Sequence, residues 1–426
     1  MMSFEIRREN CIVCNNRLSG DIVFIGEQYP SAVFPEAGSD YRSELPKSSL
    51  NVAKCTHENC GLVQLSNDYD LDVVFENYPF VSGTTATMDE ILADVLREGL
   101  EAVQLSSSDI VLDIGGNDGT MLSLIDQPVG KLLNIDAAHG VTSVVASNNY
   151  QRIQAKFTAK TYLDTGLKGP KLIFSVAMFY HLNDPVHFCK DVAKIMTTDS
   201  VWVIQMTYLG SMLESNIYDN IVHEHVAYYS LKSLEHLMGE VGLEVFHASV
   251  VNSYGGSIRA CVRKKGSNAG SSLVELGIEE LKRYETQSEV NTFEALVRFN
   301  DRVKLLKNLT RELILHINDR EGLMVALGAS TKGNMMCQLL GLNNKHISTV
   351  LDNNAKKIGL TMSGTDIPIS DENEVLDDPP KYLFVLPYYY LSFFKKMIAR
   401  KLKKSQVCYL VVPLPEPHIV KLIGEN

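Results

Sequence analysis

One stretch narrows the fold more than any other. A short apolar strand, Ile110-Val-Leu-Asp-Ile114, runs directly into Gly115-Gly-Asn-Asp-Gly119 and then into an apolar helix start. Glycines let the backbone turn where side chains would clash, and the free N–H groups of the next helix face whatever sits on the turn. A second strand, Lys131-Leu-Leu-Asn-Ile-Asp136, ends on a carboxylate placed to accept from two ribose hydroxyls. Apolar runs at 171–178 and 201–205 follow, separated by helical stretches. This alternation predicts an α/β fold: a doubly wound, mostly parallel sheet with helices on both faces.

The loop lacks the spacing Gly-x-Gly-x-x-Gly of dinucleotide sites. Its acidic start, Asp113, and its Asn117-Asp118 interior suit a cofactor with a cationic methionyl group. S-adenosylmethionine is therefore favoured over NAD, with Asp113, Gly115, Asn117, Asp118, Gly119 and Asp136 as the expected binding set.

A chain of 426 residues is too long for one ordinary core. Residues 84–104 have the apolar spacing of an amphipathic helix, and Ser267-Asn-Ala-Gly-Ser-Ser272 reads as a linker before a long helical region over 273–317. Strand patterns at 322–327, 348–352, 382–386 and 406–412 then predict a second α/β unit. The expected division is residues 1–80, 81–265 and 266–426.

Four of the eight cysteines lie in the first segment, as Cys11-x2-Cys14 and Cys55-x4-Cys60. Short pairs supply two thiolates from one turn, so the quartet predicts a structural, tetrahedral zinc. The second pair is looser than usual, and His57 is an alternative to Cys55 as fourth ligand.

The densest polar cluster is Tyr218-Asp-Asn-Ile-Val-His-Glu-His-Val-Ala-Tyr-Tyr-Ser230. On an extended segment His223 and His225 would point the same way, and a histidine titrating near neutrality suits proton removal. His181 follows the third apolar run of the sheet, where ligands of open α/β sheets bind. Lys plus Arg number 40 against 51 Asp plus Glu, a net charge of −11, which argues against sequence-independent binding to nucleic acid or to an anionic membrane. No run reaches the ~18 apolar residues of a membrane span, and the N-terminus lacks a signal-peptide core. A cytoplasmic protein is expected.

Five motifs occur in order: the cysteine quartet ending in Cys60-Gly-Leu-Val-Gln-Leu65, the Gly-x-Asn-Asp-Gly loop, His223-Glu-His225 with its Tyr-Ser, Tyr254-Gly-Gly-Ser-Ile-Arg259, and Gly328-Ala-Ser-Thr-Lys-Gly-Asn334 with Asp352 and Gly364-Thr-Asp-Ile-Pro-Ile369. Together they resemble the S-adenosylmethionine-dependent sugar C-methyltransferases, which act on nucleotide-linked 4-keto-deoxysugars. The resemblance implies an N-terminal zinc domain, a central methyltransferase domain and a C-terminal Rossmann-like domain that helps hold the nucleotide-diphosphate sugar. It implies His225 as general base, Glu224 orienting a ring or a sugar hydroxyl, and His181 lining the acceptor site. Substrate contacts are implied for Tyr78, Asn252, Tyr254, Arg259, Ser330, Lys332, Asn334 and Asp352.

The chain departs from that pattern at Val222, where the family has Tyr, at Tyr254, where it has His, at Tyr180, where a small residue is common, and at Pro387-Tyr-Tyr-Tyr390, where a Trp-Asn pair is expected. Tyr218, Tyr228 and Tyr180 are the candidates to replace the missing tyrosine. Two other readings compete: methylation of oxygen or nitrogen on the same scaffold, and a zinc-ribbon interaction protein with an inert methyltransferase domain.

Overall fold

The computed structural model describes residues 5–69, 86–139, 141–273 and 276–425. At the N-terminus, β1 (Glu5–Arg7) pairs with β5 (Asn67–Tyr69), and β2 (Val23–Gln28), β3 (Ser48–Lys54) and β4 (Val63–Leu65) form an antiparallel set. The two cysteine pairs sit beside these strands.

The glycine-loop strand, β6 (Ile110–Ile114), lies inside a seven-stranded sheet with β7 (Lys131–Asp136), β8 (Tyr150–Gln154), β9 (Leu172–Val176), β10 (Val201–Thr207) and, beyond the two-residue β11 (Ala227–Tyr228), β12 (Leu243–Val251) and β13 (Ser257–Lys264). Its order is β12-β13-β10-β9-β6-β7-β8, with β13 antiparallel to both neighbours. Strands β6 and β10 are buried along their whole length, as near-continuous apolar strands covered on both faces must be. The sheet order reverses between β6 and β9, so a crevice opens at their carboxyl ends.

The C-terminal sheet comprises β14 (Met324–Leu327), β15 (Ile347–Asp352), β16 (Ile369–Asp371), β17 (Tyr382–Val385), β18 (Val407–Val412) and β19 (His418–Ile423), ordered β16-β15-β14-β17-β18-β19. All pairs but the last are parallel, a Rossmann-like arrangement. The fold is the expected α/β architecture, with a doubly wound methyltransferase-type sheet at its centre. Among the described residues no helix is long and apolar enough to cross a membrane.

Three local departures bear on the site. The segment over 273–317 is two helices, Leu276–Gln287 and Phe293–Glu321, broken where Glu289 takes φ 54° and Thr292 caps the second helix by accepting from Ala295 N. The first helix packs Ile278 and Leu281 into the core of the central sheet, so the chain leaves that sheet at the break and not at the Ser267–Ser272 turn. That turn is pinned instead: Ser272 Oγ donates to the Glu101 carbonyl, and a Cβ on Gly270 would lie 2.2 Å from Phe246. Finally, β11 leaves the central sheet and pairs with β4 of the N-terminal one.

That crossing merges cores. Leu50 and Val52 of the N-terminal sheet, Tyr218, Val222 and Val226 of the His-rich segment, and Phe299, Met335 and Phe384 of the C-terminal unit belong to one apolar cluster. The His-rich segment is therefore the wedge between three sheets.

Arg259, expected at the substrate, is spent elsewhere. From β13 its Nε donates to Gln205 Oε1 at 2.7 Å, Nη1 to Glu98 Oε2 at 2.9 Å and Nη2 to Asp94 Oδ2 at 2.6 Å. It is 3% exposed and ties the helix Ala86–Ala102 to the sheet. Removing one partner of a buried pair leaves the others uncompensated. Arg259→Met should lower the unfolding free energy by about 3 kcal/mol, somewhat tempered because Asp94 is half in water. A urea-unfolding midpoint indistinguishable from wild type would contradict this assignment.

Candidate active site

The cofactor turn is organised by its carboxylates. Asp136, at the end of β7, accepts from Asn117 N at 2.8 Å and Ala138 N at 2.6 Å, and Arg152 Nη2 stands 3.7 Å away. Each oxygen keeps a second lone pair for an incoming hydroxyl. Asp118 turns inward to accept from Thr120 N and Oγ1, which fixes the helix start. Gly115 and Gly119 take φ 76° and 85°, and a Cβ on Gly119 would lie 2.8 Å from Val145. Behind the turn a Cβ on Gly116 would lie 2.4 Å from Asp113 Oδ2. Burial, and after it the Asp136 and Asp118 carboxylates, push Asp113 up to about 8.

Two residues of this frame had not been anticipated. Asn134 reaches from β7 to the Asn117 carbonyl, and Arg152 donates to the carbonyls of Asn117 and Ala138. The polar Asn134 inside Leu-Leu-Asn-Ile was the available signal; Arg152 had none.

Across the crevice, Ala177 follows β9 at φ 54°, and the short helical turn Phe179–His181 comes next. His181 Nδ1 meets the Glu224 carbonyl at 2.6 Å, and His225 Nδ1 meets the Asn220 carbonyl at 2.8 Å. Carbonyls only accept, so Nδ1 carries the proton in both rings, and in His225 this leaves the lone pair on Nε2. The rings stand 5.3 Å apart, with Tyr180 4.4 Å from His225 and 4.5 Å from His181. Burial pulls His181 down to about 4. His225 lies well below the ordinary imidazole value through burial, reinforced by His181 and Lys332.

His223 does not share this crevice. A turn, with His225 N donating to the Val222 carbonyl, replaces the expected extended segment. The two rings accordingly part: His223 Nε2 meets Ser48 Oγ at 2.7 Å and its ring packs on Tyr69. Glu224 is 1% exposed, and burial pushes its carboxyl up to about 7.

The C-terminal unit closes the third side. Tyr388 donates to buried Asp219 Oδ1 at 3.0 Å, immediately before the carbonyl that orients His225. Asn220 itself is anchored to Thr207 at the end of β10. Lys332, in the first turn of the helix Thr331–Leu339, buries its Nζ without a hydrogen-bond partner among the described residues, 5.3 Å from the Tyr389 ring. Tyr254, at φ 52°, lies 6.4 Å from Tyr389 and donates to Met88 Sδ.

Of the other expected site residues, Asp352 ends β15 and accepts from Ala329 N at 2.9 Å and Asn354 N at 2.8 Å. Ser330 caps its helix by accepting from Gly333 N. Asn334 is fully buried and donates to the Ser31 carbonyl and Ser363 Oγ, which commits it to joining the N- and C-terminal segments. Tyr218 packs in the shared core beside Thr310 and Cys337, and Asn252 is exposed. Tyr78 lies outside the described residues.

The four N-terminal sulfurs converge: Cys11 and Cys60 are 3.7 Å apart, Cys14 and Cys55 3.3 Å, and all four lie within 4.8 Å of one another. Hydrogen bonding to Cys55 pushes Cys11 up to about 12, and the reciprocal bond holds Cys55 down near about 2. The four sulfurs form a donor set that fits a tetrahedral cation.

Because folding depresses both imidazoles, the neutral, proton-accepting form is lost only as pH falls below the ordinary histidine range. His225 should remain a neutral Nδ1–H tautomer from about pH 8 to about pH 6 when followed by 15N NMR of the ring nitrogens. A titration midpoint near 6.5 would contradict the burial described.

The chain is similar to known proteins over most of its length. Residues 86–248 match the methyltransferase domain family, and residues 252–415 match the C-methyltransferase C-terminal domain family. The C-methyltransferase NovU of Streptomyces niveus is 25% identical over 373 residues, covering 87% of each chain. Among solved structures, the N-methyltransferase NodS of Bradyrhizobium japonicum is 14% identical, covering 41% of this chain and 94% of its own, with a TM-score of 0.32. The plantazolicin methyltransferase BamL, bound to a substrate analogue and S-adenosylhomocysteine, is also 14% identical, covering 42% and 86%, with a TM-score of 0.34. Two family models that together run from residue 86 to 415 and a relative matched over 87% of both chains point to one activity: the chain is an S-adenosylmethionine-dependent C-methyltransferase.

Proposed function

We propose that this enzyme methylates the carbon beside the ketone of a nucleotide-linked 4-keto-deoxysugar, with His225 as the base. The observation that carries the reading is the neutral, tautomer-fixed His225, flanked by His181 and Tyr180 and facing a crevice where three sheets meet. The runner-up acceptors, oxygen and nitrogen, do not require a base beside an acidic C–H.

S-adenosylmethionine supplies an electrophilic methyl on sulfonium. The protein's part is to make and hold the carbon nucleophile. His225 Nε2 takes the proton from the carbon next to the ketone, and the Asn220 carbonyl stabilises the imidazolium that forms. Tyr180, whose ring centroid lies 4.4 Å from that of His225, is the candidate to donate to the ketone oxygen as charge develops, in place of the family tyrosine at Val222. Val222 itself is buried in the shared core.

Support for a nucleotide comes from the repetition of one carboxylate frame. Asp136 and Asp352 each end a strand, and each accepts from an N–H of the preceding glycine loop and from the N–H two residues on. Each has a cation 3.7 Å away, Arg152 in one case and Lys357 in the other. A ribose diol at Asp352 would place its diphosphate toward the Ser330–Gly333 turn, whose helix N-terminus and buried Lys332 call for negative charge. Binding energy from the nucleotide, remote from the reacting carbon, is then available for positioning. The four cysteines hold a structural zinc, which fixes the N-terminal sheet that receives β11.

An isotope experiment tests the base directly. Enzyme and a 4-keto-deoxysugar nucleotide are held in deuterated water without methyl donor, and exchange at the adjacent carbon is followed by NMR. His225→Ala should slow exchange by roughly 10²- to 10⁴-fold. Equal exchange in wild type and variant would remove His225 as the base.

A further inference from the structure

We propose that Cys14, His57 and His236 hold a second Zn2+ beside the four-cysteine site, with the Cys14 thiolate bridging the two ions. The inference rests on the structural-zinc reading and goes beyond it.

One ligand atom from each of Cys14, His57 and His236 lies within 4.8 Å of the other two. Cys14 is the least buried of the four cysteines and accepts a contact from Asn16 Nδ2 at 3.4 Å, so it forms the edge of the cluster. His57 lies on the loop between Cys55 and Cys60. Its backbone is fixed because its carbonyl accepts from Cys60 N and Gly61 N while its own N–H points at Cys55 Sγ. His236 comes from a different layer, the helix Leu231–Glu240 of the central domain. The rings approach to 5.5 Å at a 36° tilt. His57 Nδ1 and His236 Nε2 are both buried without a hydrogen-bond partner among the described residues. Two imidazole nitrogens and a thiolate converging on one point are a zinc-type donor set that leaves a fourth position to water.

Charge points the same way. One zinc among four thiolates keeps a formal double negative charge, in a cluster whose sulfurs are mostly buried. A second divalent ion with two neutral imidazoles cancels that charge. It also staples the cysteine module to the helix that follows the His-rich segment, thereby fixing the wedge that carries His225.

Zinc per chain is measured by inductively coupled plasma spectrometry after dialysis in zinc-free buffer, on wild type, His57→Ala and His236→Ala, with S-adenosylmethionine affinity as the check on folding. Wild type should hold two ions and each variant one. X-ray absorption at the zinc edge should show mixed sulfur and nitrogen ligands in wild type and sulfur alone in His236→Ala. One ion in wild type with sulfur ligands only would overturn the second site and leave the structural zinc standing. Wild type without zinc would remove both.

Discussion

Everything near the proposed chemistry depends on burying titratable groups in one seam. Asp219, His223, Glu224 and His225 are at most 7% exposed, and Lys332 buries its ammonium nitrogen among them. Taking such groups out of water is costly unless each finds a partner or changes its protonation. The protein uses both routes. Imidazoles are kept neutral by burial and oriented by carbonyls, Asp219 takes a phenol hydrogen bond from Tyr388, and Glu224 is pushed toward its acid form. Burial lowers Lys332, and the nearby Asp219 carboxylate partly offsets that.

The seam exists because the His-rich segment is claimed by three layers at once. Strand β11 adds to the cysteine module, His223 reaches Ser48 of that module, and Asp219 reaches the C-terminal unit. Its apolar residues complete a core common to the N- and C-terminal sheets. Orientation of the base is thus a property of the whole assembly. The carbonyl that fixes His225 belongs to a residue whose neighbour is tethered to one unit and whose side chain is tethered to another.

What could be read in the sequence was what is local. The glycine turn, Asp113, Gly119 and Asp136 form a contiguous strand–turn–strand pattern, and the expected bounds of β6 and β7 match those found. Cysteine pairs on two knuckles are similarly visible from spacing alone. Partners set by tertiary approach were not. The carbonyls of Asn220 and Glu224 carry no residue identity, so nothing in the letters marks them. Extended geometry for His223-Glu-His225 failed because a turn replaced it, and the strand begins only at Ala227. Arg259 follows a motif shared with the family, yet its guanidinium is saturated by the acidic helix Ala86–Ala102, a pairing more than 150 residues apart in the chain.

The most direct test of the account is a crystal structure with S-adenosylhomocysteine and a 4-keto-deoxysugar nucleotide bound together. The pyranose should lie between the cofactor's sulfur and His225 Nε2, with the nucleoside on Asp352 and its phosphates on the Ser330–Gly333 turn. A sugar bound away from that imidazole, or a nucleotide bound without contact to the C-terminal sheet, would contradict it.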